Sequence, residues 1–339
     1  MVFNQTGLLK MEKYMTKKWI QKLALGVVSL LSLAATNLHA QSWPVKPIKI
    51  IVPYTVGGAS DITARLLAER MSVKFGQSVT VENRAGASGT IGTDAVAKAA
   101  PDGYTLVFVA SSHVVNKALF PALTYDPIKS FTPISQTANV QLVMVVPATL
   151  PVNSVAEFIA LAKAKPGSLS YASSGSGSNP QFFAEMLKQG AGIDLLHVPY
   201  KGSTAAHTDL LAGRTQLMFD ALASVAPHVK SGRLKLLAVA GPTRSVLLPD
   251  VPTVMEGGVA GFGATSWGAL LAPAGTHKPV IDRLHQETVA ILNSADVKER
   301  LGALGAEVVA STPEQLGDLM QREEVRYSKM VRELRITPD

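Results

Sequence analysis

The amino-acid sequence predicts an α/β protein with mostly parallel sheets that is divided into two lobes. Short β-branched or apolar runs alternate with helical patterns along the chain, which is typical of strands joined by crossover helices. The 339 residues, 47% of them hydrophobic and 17% charged, are enough to bury a large core and suggest about two domains. The C-terminal part changes to long, charged amphipathic segments, which are typical of helices that cover a sheet formed earlier in the chain.

The first 40 residues have the pattern of a secretory signal peptide. Lys17, Lys18 and Lys22 form a basic segment, LALGVVSLLSLAAT is apolar, and NLHA ends in a small residue before QSWP. The apolar run of about 14 residues is shorter than the ~20 that span a bilayer, so a membrane anchor is the less favoured alternative. The sequence therefore predicts export and cleavage after Ala40.

The composition and net charge indicate which kinds of partner the protein can have. The net charge of +7 falls to about +3 without the five lysines and one glutamate of the first 40 residues, and the remainder has no basic run, so no nucleic-acid partner is expected. The absence of cysteine excludes disulfides, thiolate metal sites, cysteine nucleophiles and a lipid anchor on a cysteine after the signal. We therefore expect release into the periplasm.

The elements follow in chain order from apolar runs and helical spacing. The predicted strands are IKIIVPY, SVTVEN, TLVFVAS, QLVMVVP, LSYAS, LLHVPY, TQLMFD, LKLLAVA and WGALLAP. The predicted helices between them are Ile62 to Phe75, Thr90 to Ala99, Val155 to Ala164, Gln181 to Gln189, Thr204 to Leu211 and Val225 to Lys230.

Three further helices are predicted at the C-terminal end, in PVIDRLHQETVAILN, DVKERLGAL and PEQLGDLMQREEVRYSKMVREL. Because such helices usually cover an earlier sheet, they predict one lobe built from two separated segments, 41–144 and 266–339. The second lobe, 145–265, is inserted between them. The crossovers are expected near QLVMVVPATLPVNS and GATSWGALLAPAG, which are apolar extended runs with Pro or Gly beside them.

PYTVGGASD has the order of a strand end, a glycine turn and a capped helix. Gly57 and Gly58 allow a tight turn, and Ser60 and Asp61 are good N-cap residues. The helix directs unpaired N–H groups and the positive end of its dipole toward the turn. An anion is therefore expected there, and both phosphate and carboxylate fit.

YASSGSGSNPQFFAEML repeats this order later in the chain. Its candidate groups are the hydroxyls of Ser174, Ser176 and Ser178, the backbone at Gly175 and Gly177, and the capping side chain of Asn179. A solvated turn with capping residues has the same pattern. Two such loops, one in each lobe, supply donors from both sides of a ligand, and a dicarboxylate suits that geometry.

Weaker binding candidates follow other strands. Ser111 ends TLVFVAS and His113 follows it, Gly202 lies in VPYKGS beside Lys201, and Asp220 ends TQLMFD, at the edge where open α/β sheets place ligands. For each of these positions an ordinary loop, solvated or helix-capping role remains an alternative.

Catalytic and cofactor patterns are missing. The glycines of ENRAGASGTIG do not have dinucleotide-fingerprint spacing, and the chain has no P-loop, no G-x-S-x-G, no S-x-x-K and no H-E-x-x-H. The histidines show no metal-ligand spacing. We therefore expect no enzyme activity, no metal and no cofactor.

The motifs together resemble a known family, the periplasmic receptors of tripartite tricarboxylate transporters, often called Bug receptors. The similar motifs are PYTVGGASD, ENRAGASGTIGTDAVAKAAPDGYTL, SSGSGS, VPYKGSTAA, MFD, PHVKSGRLKLLAVAG, LPDVPTVMEGG and WGALLAPAGT. The resemblance implies a two-lobed periplasmic-binding-protein fold (Venus flytrap, type II-like). It also implies that Val56 to Asp61 and Ser174 to Asn179 hold a carboxylate largely through backbone groups and ordered water, with Tyr54 in the family's aromatic position. Thr55, Val56, Gln181 and Ala205 depart from the residues common in the family, which puts the identity of the ligand in doubt.

The leading hypothesis is a periplasmic, monomeric receptor that captures a carboxylate-containing organic acid between its lobes and delivers it to a tripartite tricarboxylate-type membrane permease. Di- and tricarboxylates, acidic amino acids and aromatic acids all remain candidates. The expected contacts are Gly57, Gly58, Ala59 and Asp61 from one lobe and Ser174, Gly177, Ser178 and Asn179 from the other. A ligand sensor that presents its closed form to a membrane signalling protein and an enzyme that uses the glycine loops are the alternatives.

Overall fold

Residues 43–333 and 336–337 are described by the computed structural model, so the predicted signal peptide and its cleavage site at Ala40 lie outside the described residues. The strands are β1 (Ile48–Val52), β2 (Val79–Asn83), β3 (Thr105–Ala110), β4 (Phe131–Val140), β5 (Leu142–Pro147), β6 (Ser170–Ser173), β7 (Leu196–Pro199), β8 (Leu217–Ala221), β9 (Leu234–Val239), β10 (Ser266–Pro273) and β11 (Ala306–Val308). The helices are α1 (Ala59–Phe75), α2 (Thr90–Ala97), α3 (Asn116–Leu119), α4 (Val155–Ala164), α5 (Asn179–Ala191), α6 (Ser203–Leu211), α7 (Leu222–Lys230), α8 (Lys278–Leu292), α9 (Ala295–Ala303) and α10 (Pro313–Glu333).

The strands form two sheets, one in each lobe. The first lobe contains the sheet β11-β4-β10-β3-β1-β2, and the second lobe contains β7-β6-β8-β5-β9. Every residue of β5, β8 and β10 is buried, which explains why these strands are continuous apolar runs in the sequence rather than alternating ones. The two-lobed α/β architecture predicted from the sequence is confirmed.

The sheets are mixed, not mostly parallel as predicted. β1 pairs in parallel with β2 and β3, and β6 with β7 and β8, whereas β5 and β10 pair antiparallel with both of their neighbours. β5 follows β4 after the single residue Gln141, and β10 is the next strand after β9 in the chain. These two strands enter their sheets from the other lobe, so they run against the strands that belong to local β-α-β units.

β4 and β11 have no counterpart among the predicted strands. β4 contains Pro133 and a polar stretch, so it lacks the apolar run that marks the other strands. Its buried polar groups have partners from other segments: Ser135 Oγ donates to the Ser311 carbonyl at 2.8 Å, and Thr137 Oγ1 donates to the Gly268 carbonyl at 3.0 Å. Such partners come from distant parts of the chain, which the local pattern does not show.

The three C-terminal helices were predicted correctly, and α8 and α10 pack against β4 of the first lobe. Across to the second lobe, Tyr327 of α10 makes an edge-to-face contact with Phe182 of α5, with ring centroids 5.0 Å apart. In the described part of the chain, no helix is both long enough and apolar enough to cross a bilayer.

Candidate ligand-binding cleft

A cavity of about 950 Å³ lies between the two sheets and is lined from both lobes. The loops after β1, β6, β7 and β8 contribute to its wall, together with the first residues of β5 and β10. Parallel strands present their carboxyl ends at one edge, which is where open α/β sheets bind ligands. The volume is in the range of small-molecule sites.

The loop after β1, Pro53 to Ala59, is held by one buried carboxylate. Asp61 Oδ2 accepts the Gly57 N–H at 2.9 Å, and Oδ1 accepts bonds from Arg65 Nε at 3.0 Å and Asn83 Nδ2 at 2.9 Å. Burial opposes ionisation of Asp61, but these hydrogen bonds and the Arg65 charge outweigh it and lower the pKa of the carboxyl. Gly57 has a φ of 86°, so the turn requires the left-handed region that glycine favours.

Tyr54 ties this first loop to the sheet. Its hydroxyl oxygen accepts the Ala110 N–H at 3.0 Å, at the end of β3. Burial raises the pKa of Tyr54, opposed by hydrogen bonds from Ala110 and Ser112. The phenol is therefore a neutral, fixed part of the cleft wall rather than a group that titrates near neutrality.

The loop after β6, Ser174 to Ser178, is held by neutral groups. The buried N–H of Gly177 donates to Gln181 Oε1 at 2.6 Å, and Gln181 Nε2 lies 3.2 Å from His197 Nδ1. Pro180 near the start of α5 removes one of the N–H donors that a helix N-terminus normally offers. In this second loop, serine hydroxyls therefore supply some of the hydrogen-bond donors in place of backbone N–H groups.

Four helices begin at the cleft: α1, α5, α6 and α7. The first N–H groups of a helix have no intrahelical partner, and the helix dipole adds positive potential there. Lys201 is the single lysine or arginine among the residues that line the cavity in the described part of the chain. Backbone dipoles thus provide most of the attraction for an anion.

The wall of the second lobe contains a buried histidine–aspartate pair. His207 Nε2 lies 2.7 Å from Asp220 Oδ2, and Asp220 Oδ1 accepts the Ala221 N–H at 2.8 Å. His207 also meets the ring of His228 edge-on at a centroid distance of 5.6 Å. Burial lowers the pKa of His228, and the charges of His207 and Arg233 act in the same direction.

The cavity wall formed by the first lobe is more apolar than the wall formed by the second. Several buried polar groups around the cavity lack hydrogen-bond partners. Phe108, Phe120 and Trp267 line it, and Trp267 is only 3% exposed. Its indole N–H has no hydrogen-bond partner among the described residues, and neither do the buried hydroxyls of Ser176 and Ser178 across the cleft. Buried polar groups without partners are uncommon, and here they belong to residues that line the cavity.

The lobes touch through hydrogen bonds and close packing. Asn179 of the second lobe accepts the Ser111 hydroxyl at 3.1 Å and donates to Ser266 Oγ at 2.7 Å, and Ser88 Oγ donates to the Ser176 carbonyl. A Cβ on Gly202 would lie 2.3 Å from Thr55 Oγ1. This approach of the lobes therefore depends on a residue without a side chain at position 202.

Most of the predicted binding residues line the cavity. These are Tyr54, Gly57, Gly58, Ala59, Ser174, Ser178, Asn179, Gly202 and Asp220. The structure thereby brings together both glycine loops, the loop after β7 and the end of β8.

Four predicted residues do not line the cavity: Asp61, Ser111, His113 and Gly177. Asp61 is 2% exposed and is occupied by its own loop. The hydroxyl of Ser111 binds Asn179 one layer behind the wall. Gly177, with a φ of 78°, lies against Leu119, whose Cδ1 would be 2.2 Å from an added Cβ, so it serves contact between the lobes.

His113 was expected to face the cleft and instead lies in the core of the first lobe. Its ring packs edge-on to Phe131 at 5.3 Å, and Nε2 donates to the Pro127 carbonyl at 2.8 Å. Burial lowers the pKa of His113 to about 4, against smaller opposite effects of Pro127 and Asp126. The structure makes this side chain a neutral packing residue.

Sequence reasoning missed Trp267, Ser88 and His207. Trp267 and Ser88 reach the cleft through the tertiary arrangement of β10 and of a turn with positive φ, and no local signal marks them. A local signal did exist for His207. It shares the buried face of α6 with Leu210, three residues later, so a polar side chain occupies a position that a core residue would normally take. In residues 43–333 and 336–337, no group of three or more His, Asp and Glu side chains has the arrangement of a metal site.

Comparison with known proteins agrees with this geometry. The family model described as "Tripartite tricarboxylate transporter family receptor" matches residues 63–336. A solved structure described as that of a periplasmic transporter is 38% identical with a TM-score of 0.84, covering 88% of this chain and 100% of that one. An R. palustris protein solved with adipate is 35% identical (TM-score 0.85, 88% and 100% covered), and MatC from Rhodopseudomonas palustris with bound malate is 33% identical (TM-score 0.80, 85% and 100% covered).

Proposed function

The chain belongs to the receptor family of tripartite tricarboxylate transporters, and from this premise we propose that it captures a carboxylate-containing organic acid between its lobes and delivers it to a tripartite membrane permease. The family is one of periplasmic solute-binding receptors with the periplasmic-binding-protein fold, not of enzymes. Two relatives were solved with the dicarboxylates adipate and malate, which favours a dicarboxylate here as well.

The observation that carries this proposal is the convergence of two glycine loops, one from each lobe, on a single cleft. Each loop precedes a helix N-terminus, so unpaired N–H groups from both sides can bind carboxylate oxygens with charge-assisted hydrogen bonds. A nucleotide fits less well, because neither loop has P-loop spacing and the wall contains a single lysine.

We assign one carboxylate to the loop of Gly57, Gly58 and Ala59, where the N–H groups of Gly58 and Ala59 are the donors, because the Gly57 N–H is bound by Asp61, which holds the loop. The second loop offers Ser174, Ser176 and Ser178, and its hydroxyls without partners can turn toward a bound oxygen. A ligand seated between the loops stabilises the closed form only by its difference in affinity for the two forms. Contacts from both lobes supply that difference.

We also propose that a signal peptide is cleaved near Ala40 and that the protein is released into the periplasm as a monomeric receptor. Its lobes are 41–144 with 266–339 and the inserted 145–265. The C-terminal helices that pack on β4 support the discontinuous first lobe.

Thermal unfolding of the purified protein with a panel of organic acids, amino acids and nucleotides tests the function. A ligand at about 100 times its Kd stabilises the folded state by about 2.7 kcal/mol. Stabilisation by dicarboxylates is expected, and stabilisation by nucleotides alone would contradict the proposal. Isothermal titration of each acid that raises the Tm then gives the affinity and the stoichiometry.

A further inference from the structure

We infer that His207, Asp220 and Ser224 form a separate subsite in the second lobe that accepts a hydrogen-bond donor of the ligand. The organic acid then carries a hydroxyl or a protonated amino group in addition to its carboxylates. This inference rests on the proposed function and names the substrate class that the cleft prefers.

The strand register places the subsite beside the second glycine loop. Ala172 of β6 pairs in parallel with Met218 of β8, so two residues further on Ser174 and Asp220 leave adjacent strands at the same edge. His207, Asp220 and Ser224 all line the cavity. The backbones at Ser174 and Asp220 are therefore about one strand spacing, about 5 Å, apart.

Asp220 has acceptor capacity that the protein does not use. A carboxylate accepts about four hydrogen bonds, and Asp220 accepts one from His207 Nε2 at 2.7 Å and one from the Ala221 N–H at 2.8 Å. The side chain is 6% exposed, so solvent satisfies little of the remainder. A donor from the ligand is the group that completes this site.

The negative charge of Asp220 excludes a carboxylate of the ligand from this subsite. Two carboxylates in contact repel each other, and in a partly desolvated cleft the repulsion is stronger than in water. The carboxylates of the ligand therefore stay at the helix N-termini, and the atom that faces Asp220 is a hydroxyl or ammonium donor. Ser224 Oγ, which is buried and has no partner among the described residues, is available to the same substituent.

Titration calorimetry with two matched sets of acids tests the subsite. Succinate, malate and aspartate share one carbon skeleton and carry hydrogen, hydroxyl or ammonium on the second carbon; glutarate, 2-hydroxyglutarate and glutamate repeat the comparison with one more carbon. We expect a substituted acid to bind about tenfold more tightly than its parent, because it supplies a hydrogen bond to a charged group. The hydroxyl and ammonium members distinguish the two donors.

Asp220→Asn is expected to reduce that preference, measured as the ratio of the affinities of the substituted and parent acids, to less than about threefold. Ser224→Ala removes a smaller part of the preference. Asp282→Asn is the matched control, since its carboxylate pairs with Lys278 on the exposed side of α8, and it should leave the preference unchanged.

Retention of the full preference by Asp220→Asn, or tightest binding of the unsubstituted acids by the wild type, would overturn the subsite. The second result would leave the receptor function intact, because a carboxylate would still bind. Binding of none of the six acids would overturn this inference, whereas the receptor function is decided separately by the thermal-unfolding panel.

Discussion

The two glycine loops of the cleft have the same order of strand, turn and helix but are held by different chemistry. The first loop is clamped by the buried charge of Asp61, which binds Gly57, Arg65 and Asn83. The second loop is held by the neutral amide of Gln181 and has hydroxyls without partners at Ser176 and Ser178. A charged clamp fixes backbone donors, whereas rotatable hydroxyls adapt to the ligand.

This difference suggests a division of labour within one site. The first loop presents preorganised N–H groups, which bind a carboxylate without rearrangement. The second loop leads into a helix whose first turn contains Pro180, so it offers fewer N–H groups and more hydroxyls. On the function proposed above, we expect recognition of the common carboxylate to depend on the first lobe and selection among acids to depend on the second.

Filling the first loop has the largest expected effect. Gly58 has a φ of −77°, and an added Cβ would make only an ordinary contact of 3.8 Å with the Thr55 carbonyl oxygen, so Gly58→Phe should fold normally and obstruct the cleft. We expect affinity for any carboxylate to fall by about 100-fold or more, equivalent to about 2.7 kcal/mol, measured by calorimetry. Gly302→Phe, in open space and away from the cavity, is the control. Unchanged affinity would remove the first loop from the site.

Replacing Asp61 and Gln181, which hold the two loops, tests how much each of them contributes to the free energy of unfolding. Asp61→Asn should lower the free energy of unfolding by about 2 kcal/mol, because hydrogen bonds to a buried charge are lost, whereas Gln181→Met should lower it by about 1 kcal/mol. Urea unfolding at pH 7 measures both. Equal losses would show that the charged clamp holds its loop no more strongly than the amide does.

Acid should destabilise the protein through the buried histidine of the first lobe. Burial lowers the pKa of His113 to about 4, while in the unfolded chain it is about 6.5, so between these pH values the unfolded chain binds more protons. Stability therefore falls as pH decreases through this window and levels off below it, with a loss of about 1 kcal/mol between pH 7 and 5.5.

Urea unfolding of His113→Phe at several pH values checks this, because the variant should lack that part of the pH dependence whatever its absolute stability. The exposed His277 provides the control, and His277→Gln should retain the wild-type slope. The same slope in His113→Phe as in the wild type would assign the acid sensitivity to another group.

The smallest expected effect is in the second loop. Ser176→Ala removes a hydroxyl without a protein partner, so stability should change by less than about 0.5 kcal/mol and affinity should fall by about threefold. Calorimetry with the acids that stabilise the wild type measures the affinity. A loss as large as that of Gly58→Phe would contradict the proposed division between the loops.

Sequence reasoning located both loops because their signals are local: a strand, glycines that allow the turn and a residue that caps the next helix. It misplaced His113 and Ser111, since the direction of a side chain after a strand depends on how the following turn packs, and here both point into the interior. It passed over His207 because the partner, Asp220, is 13 residues away and the pair exists only when α6 packs on β8.

Composition and residues close together in the chain were enough to predict the α/β class, the two lobes, the two glycine turns and the lack of cysteine chemistry. The tertiary structure was needed to see that the sheets are mixed, that Asp61 holds the first loop, and that Trp267, His207 and Asp220 line one cleft. These features depend on contacts between distant segments, and strand direction, burial and charge pairing are set when those segments pack.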